Sequence, residues 1–304
     1  MLASLWARLV GPRELRLRAR YGDWALVTGG HSGIGFACAE QLAAEGVNVL
    51  ICARTQSKLD AAAAAIKDAH PRVQVRTVAA DCSEQAGVDA LIAATKDVEV
   101  GIVVPDAGLF LHGWFVDSDA DELRRMLFLN VASPALLSRH FGRRMAERGR
   151  GAILLVSSVI GLAPGPYFAG YAATKSFVAT LGETLSAEMA PLGVDVSVLV
   201  PGLTRTEMAT PFLEVGVPAD SPEHAARCGL CALGRKPLAI PLVTYRLSVL
   251  LQAHVLPRFV TAAAYRLIVE KVLRIERPPP FAASAVAAAA KPRSDAGGTP
   301  AGDS

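Results

Sequence analysis

The sequence predicts an α/β protein built on a doubly wound parallel sheet, as a single domain with an apolar helical extension at its carboxyl end. Three observations predict it. Short β-branched runs recur along the first 200 residues, most are apolar on both faces, and Ala- and Leu-rich stretches of helical length separate them. Strands apolar on both faces and separated by helices form a parallel sheet covered on both sides. In order, the strands are "WALVTG" from residue 24, "VNVLICA" from 47, "VQVRTVA" from 73, "VGIVV" from 100, "GAILLVSS" from 151 and "VDVSVLV" from 194. "FACAEQLAAEG" and "KLDAAAAAIKDA" are the first two helices between them. Residues 240–269 read as two oily helices that need cover. Arg246, Arg258, Arg266 and Pro257 break this stretch, so it lacks the apolar run of about 18 residues that a membrane span requires. After Arg277 the chain turns to Pro, Ala, Gly and Ser with few large apolar groups, which predicts a disordered tail.

The 304 residues suffice for one large domain, and no internal linker interrupts the first 275. The net charge of +3 is small and the basic residues are interspersed with acids, which excludes a nucleic-acid stripe. Five cysteines, at 38, 52, 82, 228 and 231, form an odd set with three in apolar stretches, as expected of reduced thiols in a cytoplasmic protein. "CGLC" at 228–231 has no second ligand pair at zinc-site distance, and no metal is expected. Arg8 interrupts the amino terminus too early for the apolar core of a signal peptide. Residues 8–20 hold five arginines and one glutamate among leucines, so this arm either lies on an anionic membrane surface or packs as a helix on its own domain.

The first strand runs into "TGGHSGIG", residues 28–35, with a helix immediately after. Glycines at 29, 33 and 35 permit a tight turn, close approach of backbone to a pyrophosphate, and close helix packing, while the helix N-terminus favours negative charge. The turn therefore predicts a Rossmann-type dinucleotide site using Thr28, Gly29, Ser32, Gly33, Ile34 and Gly35. His31 is either a donor on the phosphate side or a solvent-exposed spacer in that turn. At the end of the second strand the position that carries an acid in NAD-binding sites is Ala53, followed by Arg54. A guanidinium can fork onto a 2′-phosphate, so NADP(H) is expected in preference to NAD(H).

"SS" at 157–158 is followed by "YAATK" at 171–175, with Tyr171 thirteen residues after Ser158. Together with the glycine turn, these residues resemble the short-chain dehydrogenase/reductase family over roughly residues 22–210. The opening "YGDWALVTGGHSGIG" and the cofactor strand "NVLICARTQSKL" look most like its branch of hydroxysteroid dehydrogenases and long-chain 3-oxoacyl-CoA reductases. The resemblance implies that Tyr171 exchanges the proton of a ketone–alcohol interconversion, Ser158 binds the substrate oxygen, and Asn130 fixes a water beside Lys175. Tyrosine's ordinary pKa of about 10 is too high for ready exchange near neutrality, and Lys175, one helical turn on, is expected to lower it. Tyr167 lacks a lysine four residues on and is expected to be a decoy. Asp81 is implied as the adenine contact, Ala107 and Gly108 as the ribose approach, and Pro201, Gly202 and Thr206 as neighbours of the nicotinamide, where Tyr171 and Lys175 also meet the cofactor. One departure stands out: the family's NNAG is "PDAG" here, residues 105–108, placing a carboxylate at Asp106. That change is expected to affect local rigidity and cofactor affinity without touching the catalytic groups.

These expectations divide the chain into an amphipathic arm (1–21), a catalytic core (22–210), a substrate lid with apolar helices (211–276) and a tail (277–304). His112 and Trp114 are expected to line the substrate entrance or pack beneath it. A greasy lid suits a hydrophobic small-molecule substrate such as a steroid or a long acyl chain. The same apolar surface equally suits a homo-oligomer interface or peripheral contact with a membrane. The competing class of function is a catalytically weak dinucleotide-binding sensor or scaffold, suggested by "PDAG" and opposed by the complete set of serine, tyrosine and lysine.

Overall fold

The computed structural model describes residues 15–213 and 219–273. Among them, seven parallel strands form one sheet in the order β3-β2-β1-β4-β5-β6-β7. The strands are β1 (Trp24–Thr28), β2 (Asn48–Ala53), β3 (Val75–Ala79), β4 (Val100–Pro105), β5 (Gly151–Val156), β6 (Val194–Leu199) and β7 (Leu238–Ala239). All six apolar runs became strands, most of them covered on both faces, while β3 at the sheet edge is only partly covered. β1, β4 and β5 are buried at every position.

Alternate residues point to opposite faces. Ala25 and Val27 of β1 join the layer containing α2 (Gly33–Ala44), α3 (Gln56–Ala69) and α9 (Pro222–Ala232), while Trp24 and Leu26 join the other. That second layer holds α4 (Gln85–Ala93), α6 (Ser133–Glu147) and α7 (Ala169–Met189). The strand order reverses between β1 and β4, which opens a crevice at their carboxyl ends. Register brings Thr28, Cys52 and Pro105 to one level at that edge.

Two boundaries differ from the sequence reading. β7 pairs with β6, and α9 packs on α2, so the core extends past residue 210 to Ala239. A two-residue strand has too little pattern to be seen in sequence. At the other end, α1 (Leu17–Tyr21) buries Leu17 and Tyr21 in the main core, and the Tyr21 hydroxyl donates to Asp195 on β6 at 2.7 Å. This part of the arm packs on its own domain. Residues 1–14 and the expected tail at 277–304 lie outside the described residues.

The two oily helices are α10 (Val243–His254) and α11 (Arg258–Leu273). Between the core and these helices lies the short α8 (Thr210–Leu213), and α5 (Ala120–Leu127) precedes α6.

Candidate active site

The glycine turn lies where β1 meets α2. Gly29 and Gly33 adopt φ of 70° and 57°, and a Cβ on Gly35 would fall 2.6 Å from the Gly29 carbonyl oxygen. The turn therefore tolerates no larger residue at 35, and it presents the first amides of α2 with Ser32 at the N-cap. The Ser32 hydroxyl makes no cap bond, while Ile34 packs against the core. Thr28 Oγ1 accepts from the Ala107 N–H at 3.1 Å, fastening the ends of β1 and β4 together. A loop after β6 folds over the turn, bringing Thr206 Cγ2 within 3.1 Å of where a Gly33 Cβ would stand. Pro201 accepts from the Val159 N–H at 3.0 Å, and Tyr245 of α10 lies so close to Gly202 that any side chain there would strike its ring.

Beside the turn is a cationic corner. His31 is half-buried with Nδ1 enclosed and lacking a hydrogen-bond partner among the described residues, so it is no solvent-exposed spacer. Burial holds its basicity below the ordinary value, and the charges of Lys58 and Arg54 add to this against Glu207. Arg54 and Lys58 are both exposed, and Lys58 Nζ is 3.9 Å from Glu207 Oε2. Lys58, on the first turn of α3 and four residues after Arg54, carries no local pattern in the sequence that marks it as part of this corner. Asp81 is already engaged: its carboxylate accepts from the Ser83 N–H at 3.0 Å and pairs with Arg125 at 3.1 Å. Partial burial raises its pKa, but Ser83, Arg54 and Arg125 outweigh that and hold it below the usual range.

Tyr171 and Lys175 lie on the first turns of α7 and are 8% and 7% exposed. Ser158, two residues beyond β5, lies near enough to the Tyr171 phenol to favour its ionised form, and its Oγ accepts from the Ile160 N–H at 3.4 Å. Its neighbour Ser157 donates instead to the Lys175 carbonyl at 2.6 Å, pinning α7 to the sheet. The pair of serines thus divides into one near the phenol and one holding the helix.

Asn130 sits in a π-helical turn (Phe128–Ala132) between α5 and α6, where Pro134 supplies no N–H to its carbonyl. Its side-chain amide makes two bonds to the backbone of Leu109, accepting from N–H and donating to C=O, each 2.8 Å. A Cβ on Gly108 would be 3.5 Å from Asn130 Oδ1 and 3.7 Å from Lys175 Nζ, so these three groups converge.

Two expectations change at this point. The Lys175 ammonium donates to the Val156 carbonyl at 3.0 Å and lies 5.7 Å from the Tyr171 ring centre, and burial outweighs any lowering of the phenol by its charge. Burial pushes Tyr171 above its ordinary value, the charge of Asp106 pushes the same way, and Ser158 opposes both. Second, the charge of Asp106 does reach the candidate catalytic groups. Its charge acts on both Tyr171 and Lys175, because the end of β4 crosses directly between the glycine turn and α7.

Above Tyr171 is an aromatic roof. Phe110 meets its ring edge-on at 4.9 Å between centroids, and Phe168 and Phe212 lie 5.5 and 6.2 Å from Phe110. Val269 and Leu273 of α11 pack into the same cluster with Trp114. His112 lies against Phe168 at 6.5 Å between rings. Tyr167, at φ 68°, turns its hydroxyl to Glu270 of α11 and is no rival to Tyr171. Two other clefts, bordered by Trp24, Asp97, Glu99 and Arg150, lie at the rim where the strands begin.

Comparison with known proteins gives the family and agrees with the fold. The family model for short chain dehydrogenases matches residues 23–214. A very-long-chain 3-oxoacyl-CoA reductase-like protein of Arabidopsis thaliana is 31% identical over 233 residues, covering 74% of each chain. Among solved structures, one of a study of 7β-hydroxysteroid dehydrogenase stereoselectivity superposes with a TM-score of 0.77 at 27% identity, covering 82% of this chain and 99% of that one. A short-chain dehydrogenase from Sphingobium yanoikuyae in complex with NADPH has a TM-score of 0.67 at 29% identity, with 84% and 98% covered. The sheet order, the glycine turn and these matches together identify the chain as a member of the short-chain dehydrogenase family, an NAD(P)-dependent oxidoreductase acting on hydroxyl and keto groups.

Proposed function

We propose that this oxidoreductase prefers NADP(H) and interconverts a ketone and a secondary alcohol on a lipophilic, steroid-like or long-acyl substrate through Ser158, Tyr171 and Lys175. The observation that carries the reading is buried Tyr171, with Ser158 beside it, beneath the aromatic roof of Phe110, Phe168 and Phe212. A carbonyl oxygen held by the serine hydroxyl and the phenol accepts a proton from Tyr171 as negative charge develops on it. Lys175, held by Val156, supplies positive charge beside the reacting groups, and Asn130 braces the Leu109 backbone next to it. Burial and the apolar roof exclude water from the exchange.

The residues of the glycine turn fit a dinucleotide, since Gly35 leaves no room for a side chain where backbone must approach a diphosphate. When bound, the nicotinamide supplies or accepts the hydride. Arg54, Lys58 and the unpartnered Nδ1 of His31 form the corner that suits a 2′-phosphate. The NADPH complex of the Sphingobium yanoikuyae relative supports this preference. Asp81 would meet the adenine while retaining its bond to Ser83, with Ala107 and Gly108 against the ribose and Pro201, Gly202 and Thr206 near the nicotinamide.

The test is NADPH oxidation across a panel of ketosteroids and 3-oxoacyl thioesters, with wild type and Tyr171→Phe. Loss of the acid should lower kcat by about a thousandfold while NADPH still binds. Equal rates for the two proteins on every active substrate would sink the mechanism, and leave the weak sensor or scaffold as the better reading.

A second observation concerns location. Val243, Leu247, Leu250 and Leu251 form one helical stripe on α10, and Phe259, Leu267 and Ile268 extend the apolar surface on α11. Leu247 is 62% and Phe259 75% exposed. Residues 240–273 carry four Lys or Arg and one acidic residue. Apolar stripes among excess cations suit the surface of an anionic bilayer, and no described helix is long and apolar enough to cross one. The opposite side of α11 roofs the candidate site, so docking there would bring a lipophilic substrate to Tyr171. A homo-oligomer burying the same stripes is the rival occupant.

A further inference from the structure

Asp106 occupies a place that neither the dinucleotide nor the substrate requires to be acidic. Pro105 ends β4 in a tight three-residue turn, with the Asp106 N–H donating to the Val104 carbonyl at 3.0 Å, and proline's fixed φ suits that turn. The turn aims the carboxylate across the crevice at the glycine turn. Asp106 Oδ2 lies 2.7 Å from where a Gly35 Cβ would stand and 3.4 Å from the corresponding point on Gly29. The Gly35 N–H, on the first turn of α2, favours the carboxylate form. The titratable groups facing it are Lys175 and Tyr171 from α7 and Cys38 from α2.

We propose that Asp106 is a positioning residue with two separable actions: it clamps the first turn of α2 to the end of β4, and it is the local counter-charge for Lys175. The clamp acts through a hydrogen bond that a neutral acceptor can also make. The counter-charge needs the carboxylate. Surrounding protein pushes the Asp106 carboxyl up to about 6, with Lys175 and the Gly35 N–H opposing, so near neutrality the carboxylate is the major form. Burial pulls Lys175 down to about 8, and Asp106 opposes that fall. Removal of the charge therefore lets Lys175 lose its proton at a lower pH. An anion beside the diphosphate site also weakens binding of a negatively charged cofactor, a cost that an amide at this position would not carry.

Two substitutions separate the actions. Asp106→Asn retains an acceptor for the Gly35 N–H and loses the charge, whereas Asp106→Ala loses both. Amide hydrogen exchange over residues 33–36, measured on the full chain without nucleotide, should rise about tenfold in the alanine variant and stay within about twofold in the asparagine variant. NADPH titrated calorimetrically should bind about tenfold more weakly to the alanine variant, and as tightly or more tightly to the asparagine variant. In both, the basic limb of the kcat profile should move down by about one pH unit.

Wild-type exchange together with wild-type NADPH affinity in Asp106→Ala would overturn the clamp. A basic limb in Asp106→Asn that superposes on wild type would overturn the counter-charge. Should the alanine variant not fold, the asparagine variant still decides: unchanged exchange with a shifted limb supports the proposal, and raised exchange refutes it. The pH arm rests on the proposed Ser158, Tyr171 and Lys175 chemistry, but the exchange and binding arms do not. A chain inactive on every substrate would therefore defeat that chemistry while leaving the clamp tested on its own.

Discussion

Arg54, just before α3, and Lys58, on its first turn, both act on His31, and their separate contributions to cofactor choice can be measured. Arg54→Asp should weaken NADPH by about 10- to 100-fold, because a charge-assisted bond is lost and a repulsion gained, and should weaken NADH much less. Equal losses for both nucleotides would remove the basis for the preference. The pH behaviour follows from the same scale. Lys175 titrates at about 8, lowered by burial, so if its ammonium is needed, kcat falls as pH rises through 8. The Asp106 carboxyl, at about 6 against an ordinary 3.8, gives stability the opposite window. Between these values the native chain binds more protons than the unfolded chain, so stability falls as pH rises from about 4 to 6. Melting temperatures across that range should show a flatter slope in Asp106→Asn; an identical slope would assign the pH dependence to other groups.

The helix α7 carries both Tyr171 and Lys175, and its distance from the sheet is set by a glycine. A Cβ on Gly182 would lie 2.3 Å from Val198 Cγ2 and 2.9 Å from Leu155 Cδ1. Alanine there gains about 1 kcal/mol of helix propensity but overpacks a buried interface at about 1–3 kcal/mol, so the clash wins. Gly182→Ala should lower stability by about 1 kcal/mol in urea titration and reduce kcat as α7 shifts. A variant at least as stable as wild type would show that the interface relaxes freely. The six main strands, the glycine turn and α7 were legible in sequence because each carries a local pattern. The π turn at Asn130 was not, since it arises where α5 and α6 join at Pro134 and has no periodicity of its own. β7 escaped for a related reason: its two residues are a strand solely because β6 lies beside them.

The whole molecule joins a sheet-edge site to an apolar surface through α11, whose two sides face different surroundings. Burying a leucine or phenylalanine side chain is worth about 1.5–3 kcal/mol, so Leu247→Glu with Phe259→Glu should remove about 3–6 kcal/mol of bilayer affinity. Sedimentation of the full chain with phosphatidylserine vesicles should show a bound fraction that the double variant loses and that added salt reduces. No bound fraction at any lipid composition, with a dimer in analytical ultracentrifugation, would assign the stripes to a second copy instead.

The order of strands and helices, the dinucleotide turn and the spacing of Ser158, Tyr171 and Lys175 were all written in the linear chain, because each depends on periodicity or on residues close in sequence. The chain also announced Asp106 as a departure, yet misjudged its reach. That Ser157 pins α7, where the lysine head is held, how Phe110, Phe168 and Phe212 gather from three segments, and that Asp106 reaches from the glycine turn toward Lys175 came from the packed fold. These relations join groups from separate elements across the sheet edge. Their distances are fixed by β1, β4 and β5 lying side by side, and no local pattern encodes that adjacency.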